Sequence, residues 1–141
     1  MSKLLGIDIK TLNDGGFQFY QTGLIRKVLD NTGMEHCNIL PTSTKVESPP
    51  VTDVDGSEAK RDCTNSYDSV IGMILYLASN TRPDISFVVH QCSQFMHNTK
   101  ASHDTSVKRI CRYLQGTKDN GLVFNPSKKL VVDCYADADF T

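Results

Sequence analysis

Residues 3–10 form an apolar run whose length predicts a strand. Asn13, Asp14, Gly15 and Gly16 follow, and these residue types accept the positive φ of a tight hairpin turn. Residues 17–20 alternate apolar and polar side chains, so they are the expected return strand. From Thr22 the period changes: Leu24, Ile25, Val28 and Leu29 recur at helical spacing, with Thr22 placed to cap the helix start and Gly33 its end. Residues 41–64 then lose all periodicity and carry three prolines among many Ser, Thr and Asp residues. A connection this long is uncommon inside a compact domain, so an internal boundary is expected there.

Three helices are predicted next. The first spans residues 66–80, opens at Asn65 or Ser66, and carries Tyr67, Val70, Ile71, Ile74, Leu77 and Ala78 on one face. Thr81-Arg82 stops it, because the residue before a proline disfavours the helical region. Pro83 suits the first turn of the second helix, whose stripe is Ile85, Val88, Val89, Cys92, Phe95 and Met96. The third opens at Ser102, buries Val107, Ile110, Cys111 and Leu114, and closes near Gly116. Short connections imply packed, antiparallel neighbours. Residues 121–124 and 129–137 read as two final short strands. The expected class is α+β: an N-terminal β-hairpin plus helix in 1–40, a linker in 41–64, a three-helix unit in 65–118, and C-terminal strands in 119–141. No internal repeat is visible.

Composition narrows the function class. A chain of 141 residues with 39% hydrophobic and 22% charged residues is expected to fold. Its formal net charge of −1 argues against a dedicated polyanion binder, although a local basic patch can act within a neutral total. No apolar run reaches the roughly 18–20 residues of a membrane span, and the N-terminus lacks a signal-peptide layout. The five cysteines are scattered and odd in number, which suggests reduced thiols in an intracellular chain, cytoplasmic or nuclear.

Three groups of residues bear on chemistry. On the third helix Lys108, Arg112 and Gln115 lie at i, i+4 and i+7, flanked by Arg109 and followed by Lys118. Such a face neutralises phosphates, and the same pattern also describes an ordinary solvated helix. The four histidines and five cysteines lack zinc spacing, since His90 and Cys92 would diverge by about 200° on a helix. Cys92 and Cys111 instead fall in apolar stripes. Near the C-terminus, Tyr135, Asp137 and Asp139 share one face of an extended strand, with the carboxylates about 7 Å apart. One of them could ligate a magnesium ion, whereas a two-metal phosphodiester site needs further carboxylates.

Several segments together resemble one family. "LLGIDIK" and "GGFQFYQTGLIRKVLDNTGM", then "YDSVIGMILYLASNTRPDISFVV", "RYLQGT" and "CYADADF" are similar to the Pol polyprotein of copia-type LTR retrotransposons, in the family's order. The resemblance implies the late part of the reverse transcriptase, with the end of the palm in 1–40 and a thumb-like unit in 65–118. The start of RNase H would lie in 119–141. It implies that Leu5 and Gly6 belong to the strand that grips the primer. It implies that Arg82, Lys108, Arg109 and Arg112 touch the backbone of an RNA–DNA or DNA template–primer duplex. Asp137 would be the first RNase H-like carboxylate, a metal ligand only in a complete domain, with Asp139 beside it. Mg2+ serves the intact family enzyme, and none is expected for this stretch. The rest of the Pol polyprotein is an implied partner, and a membrane is not.

The departures shape the expectation of activity. The polymerase's paired-aspartate motif is not in the chain, Phe140 replaces the usual Trp, and Asp104 replaces a common aromatic. The chain is therefore expected to hold nucleic acid without catalysing polymerisation or RNA cleavage alone. A host-adopted nucleic-acid-binding module and a non-functional transposon relic are the alternatives.

Overall fold

The structure is a computed structural model that describes residues 2–41, 67–96 and 101–125. Its first departure from the hydrophobic pattern falls at Leu5-Gly6. The strand expected over residues 3–10 is two strands, β1 (Ser2–Leu4) and β2 (Ile7–Thr11), paired antiparallel with Leu4 opposite Ile7. Leu5 and Gly6 have φ of 49° and 81°. Two consecutive positive φ values make a two-residue primed turn, whose twist suits antiparallel strands. Leucine is disfavoured there, so nothing in the apolar run announced the reversal.

The second turn matches expectation. Leu12 N–H donates to the Gly16 carbonyl at 2.8 Å, Gly16 N–H donates to Asp14 Oδ1 at 3.0 Å, and Gly15 takes φ 82°. Strand β3 (Phe17–Tyr20) returns along β2. Strand β4 (Leu122–Phe124) then pairs antiparallel with β3, giving one sheet in the order β1-β2-β3-β4. The α+β class holds, but a four-stranded sheet replaces the expected hairpin. Residues 129–137, the other expected terminal strand, lie outside the described residues.

Helix α1 (Thr22–Asn31) follows β3 directly. Gln21 rather than Thr22 takes the N-cap position. The Thr22 hydroxyl lies instead 3.1 Å from the Lys118 carbonyl and 3.3 Å from Asp119 Oδ1. The helix ends as predicted. Gly33 has φ 64°, Gly33 N–H bonds the Asp30 carbonyl, and Met34 N–H bonds the Leu29 carbonyl. This pair of bonds satisfies carbonyls left open by the helix end and turns Met34 back onto the core.

Helix α2 (Tyr67–Asn80) precedes a single 3₁₀ turn (Pro83–Ile85), helix α3 (Ser86–Ser93) and helix α4 (Ala101–Gly116). The second predicted helix is shorter than its stripe, because Phe95 and Met96 lie in a turn beyond Ser93. The core joins Ile25, Val28 and Leu29 of α1 to Ile71, Ile74 and Leu77 of α2, Val89 and Cys92 of α3, and Ile110, Cys111 and Leu114 of α4. It is therefore continuous across the boundary expected at residues 41–64. Burial pushes the Cys92 thiol up to about 11, as suits a cysteine serving as a small apolar side chain. Among the described residues, no helix is long and apolar enough to cross a membrane.

The sheet stands apart from this core. Alternation and register place Leu4, Ile7, Ile9, Phe17, Phe19, Leu122 and Phe124 on one face. Phe19 and Phe124 meet edge to face, with ring centroids 5.3 Å apart. None of these residues belongs to the helical core cluster.

Two glycines test these contacts with opposite signs. A Cβ on Gly121 would overlap the Phe19 carbonyl oxygen, so Gly121→Ala should lower stability by about 1–3 kcal/mol and loosen β4. Gly72 is exposed within α2 and a Cβ there meets nothing, so Gly72→Ala should raise stability by about 0.5–1 kcal/mol. Urea unfolding midpoints decide both.

Candidate nucleic-acid interface

Arg82 does not lie on the surface expected of it. It is 2% exposed and sits between the end of α2 and the end of α4. Its Nε and Nη2 donate to Asp84 Oδ1 at 3.0 Å and Oδ2 at 2.8 Å. Nη1 donates to the Thr117 carbonyl at 2.9 Å, and Nη2 also donates to Thr117 Oγ1 at 2.8 Å. Tyr113 completes the group: its hydroxyl donates to Asp84 Oδ2 at 2.7 Å, and its ring lies 5.3 Å from the Arg82 guanidinium carbon. The planar fork of arginine matches a carboxylate in this way, and lysine does not.

The local sequence explains the placement. Pro83 ends the α2 path, Arg82 N–H bonds the Leu77 carbonyl, and the 3₁₀ turn swings Asp84 back under its neighbour. Burial alone would raise the Asp84 carboxyl, but hydrogen bonds from Arg82 and Tyr113 outweigh it and hold the group below its ordinary value. Burial alone would lower Arg82, and Asp84 reverses that effect. "TRPD" and "RYLQGT" are thus two halves of one polar clamp. Asp84, Tyr113 and Thr117 were not among the site residues expected from sequence.

Helix α4 presents what remains of the basic face. Lys108 and Arg112 are exposed, while Arg109 is half-buried. Lys108 Nζ is paired with Asp104 Oδ2 at 2.7 Å, one turn earlier on the helix. Asp104 partly neutralises the cation, and an exposed pair of this kind contributes only a few tenths of a kcal/mol. Gln115 is not free to meet a ligand, because its Nε2 donates to the Glu35 carbonyl at 2.7 Å. Leu40 N–H reaches the Arg112 carbonyl at 3.4 Å, and Ile39 fills the space beside Gly116. Residues 35–40 therefore strap the C-terminal half of α4, leaving Lys108 and Arg112 as the charged, exposed positions. Such a surface suits sequence-independent contact with phosphates.

Leu5 and Gly6 form an exposed turn tip, distinct from the α4 face, with Leu5 80% exposed. Tyr76 of α2 donates its hydroxyl to the Leu5 carbonyl at 2.7 Å and holds the tip against the helices. Asp137 and Asp139 lie outside the described residues. Among the described residues, no group of three His, Cys, Asp or Glu side chains gathers as a metal site.

The clamp makes an ordered prediction. Asp84→Ala leaves the buried Arg82 charge without its carboxylate and should cost about 3–5 kcal/mol. Arg82→Met removes the charge and leaves Asp84, whose side chain is 39% exposed, so the cost should be smaller, about 1–3 kcal/mol. Because the folded Asp84 carboxyl is held below its ordinary value of 3.8, the pairing stabilises the fold fully above that pH and is lost as pH falls through the lower folded value. Asp84→Asn should remove this part of the acid dependence. Denaturant titrations between neutral pH and the acid limb measure all three.

No protein-family model and no solved structure matches the chain. Curated proteins do. The chain is 36% identical over 136 residues to an uncharacterized mitochondrial protein of Arabidopsis thaliana, AtMg00810, covering 96% of this chain and 54% of that protein. It is 35% identical over 96% of its length to the retrovirus-related Pol polyprotein from transposon RE1 of the same plant, of which it spans 9%. It is 28% identical over 98% of its length to the putative transposon Ty5-1 protein YCL074W of Saccharomyces cerevisiae, of which it spans 44%. The chain thus spans about half or less of each of these relatives. Across nearly its whole length, the chain is homologous to a segment of the retrovirus-related Pol polyproteins of transposons.

Proposed function

We propose that this chain corresponds to the late part of a copia-type reverse transcriptase, running into the start of RNase H. In this reading it holds a template–primer duplex by its backbone. The observation that carries the reading is the meeting of the two signature stretches at Arg82, Asp84, Tyr113 and Thr117. That clamp fixes the end of α4 against α2, so Lys108 and Arg112 project from a rigid scaffold. Cations carried on a fixed helix need order only their own side chains to meet phosphate oxygens, and they release counterions from the duplex. Phosphates carry no base sequence, as a polymerase requires.

Catalysis is not part of this proposal. Phosphoryl transfer needs metal ions held by several carboxylates at once. Asp137, with Asp139 nearby, would hold a Mg2+ only beside carboxylates of a complete RNase H domain. The chain's role is positional: it grips the duplex while other parts of the polyprotein supply the chemistry.

Binding of an RNA–DNA duplex at low and moderate salt tests the proposal. Affinity should fall steeply with salt, and a Lys108→Ala/Arg112→Ala double variant should reduce the salt slope by about 2. Absence of binding at low salt, or an unchanged slope in the double variant, would contradict it. Primer extension above background with Mg2+ and a primed template would overturn the inactivity.

A further inference from the structure

Between α4 and β4 the chain runs through Asn120-Gly121. Asparagine is one of the thermolabile residues. Its weak point is the backbone nitrogen of the residue that follows, which can attack the asparagine Cγ and close a five-membered ring. The fold decides where that attack is open. Asn31 and Asn80 are followed by Thr32 and Thr81, whose N–H groups donate to the Val28 and Leu77 carbonyls at 3.1 and 3.0 Å. Their carboxamides are held as well, Asn31 Nδ2 against Met73 Sδ and Asn80 Nδ2 on the Tyr76 carbonyl. Asn125 precedes Pro126, which has no N–H. Asp14 and Ile39 bring side chains that crowd the nitrogen after Asn13 and Asn38. Gly121 brings none, and Asn120 is exposed. Strand β4 begins only at Leu122, so Gly121 stands before the ladder.

Ring closure at Asn120 leads to two products. The Gly121 nitrogen gives up its proton to solvent, its bond to Cγ forms, and the carboxamide nitrogen leaves as ammonia. Water then opens the succinimide. Opening at Cγ breaks the bond just made and leaves an aspartate on an unaltered backbone. Opening at the main-chain carbonyl of residue 120 breaks the original peptide bond instead, and the chain then runs through Cβ and Cγ as isoaspartate. The main chain is now one carbon longer, by about 1.5 Å. The surroundings leave no slack for it. A Cβ on Gly121 would overlap the Phe19 carbonyl oxygen, so the backbone there already lies against β3. On the other side, Gln18 Nε2 donates to the Asp119 carbonyl at 3.3 Å and the Thr22 hydroxyl donates to the Lys118 carbonyl at 3.1 Å. Strand β4 has only three residues, so its pairing is the contact that yields.

We propose that Asn120-Gly121 is a site of spontaneous modification in the folded chain, where isoaspartate formation releases β4 from β3. Water is the only co-reactant, and no nucleic acid takes part. In the test, the full chain is aged at neutral pH, and each asparagine is followed by peptide mapping with an isoaspartyl methyltransferase. Asn120 should convert at least about tenfold faster than Asn13, Asn31, Asn38 or Asn80, because glycine leaves its nitrogen unscreened. Amide hydrogen exchange of residues 122–124 should lose its protection in step with the isoaspartate fraction. Asn120→Asp, measured fresh, carries the new charge on a normal backbone and should keep that protection. Asn120→Gln should keep it through ageing. Absence of isoaspartate at position 120, or conversion no faster than at the other four, overturns the proposal. Full protection of β4 in isoaspartate-bearing chains overturns it as well. So does an equal loss in fresh Asn120→Asp, which would assign the effect to charge.

Discussion

A guanidinium removed from water must recover its hydration from fixed partners, and at Arg82 those partners come from two distant stretches of chain. Asp84 supplies the opposite charge from two residues away. Thr117 supplies a carbonyl and a hydroxyl from beyond the end of α4, and Tyr113 supplies a ring and a second donor to Asp84. The helical unit depends on this clamp because apolar packing alone does not set where one helix ends against another. A forked set of charge-assisted hydrogen bonds adds a directional constraint that non-directional apolar contacts lack. The basic side chains of α4 inherit their positions from it.

Around that clamp the molecule has two layers joined by a few polar contacts. Thr81 donates its hydroxyl to Gln21 Oε1 at 2.9 Å, with both side chains buried, and so ties the start of α1 to the end of α2. The Thr22 hydroxyl meets residues 118 and 119, Gln18 Nε2 donates to the Asp119 carbonyl, and Tyr76 holds the Leu5 turn. The helices share an apolar core, but the sheet's apolar face lies outside it.

The helical half was legible in the amino-acid pattern because burial there follows a 3.6-residue period. Ile25, Val28, Leu29, Ile74, Leu77, Val89, Cys92, Ile110, Cys111 and Leu114 are all buried where that period put them. The Gly33 stop was legible because only a left-handed residue completes its pair of capping bonds. The first strand was not, because Leu5 at φ 49° breaks the usual chemistry of primed turns. The basic surface was half legible. Charge spacing named Lys108 and Arg112 correctly as exposed, but it could not tell that Arg82 would be buried.

By itself, the order of residues determined the helices, their apolar faces, the second hairpin turn and the kinship with transposon Pol proteins. These follow from local period, from glycine's access to positive φ, and from signature stretches that need no partner to be read. Tertiary structure alone decided that β4 closes onto β3, that residues before 41 and after 66 share one core, and that Gln115 is tied down by the strap. It alone turned Arg82 from a surface cation into a buried clamp. The physical reason is common to all four: each depends on a contact between residues far apart in the chain, and spacing along a sequence carries no record of which distant groups meet.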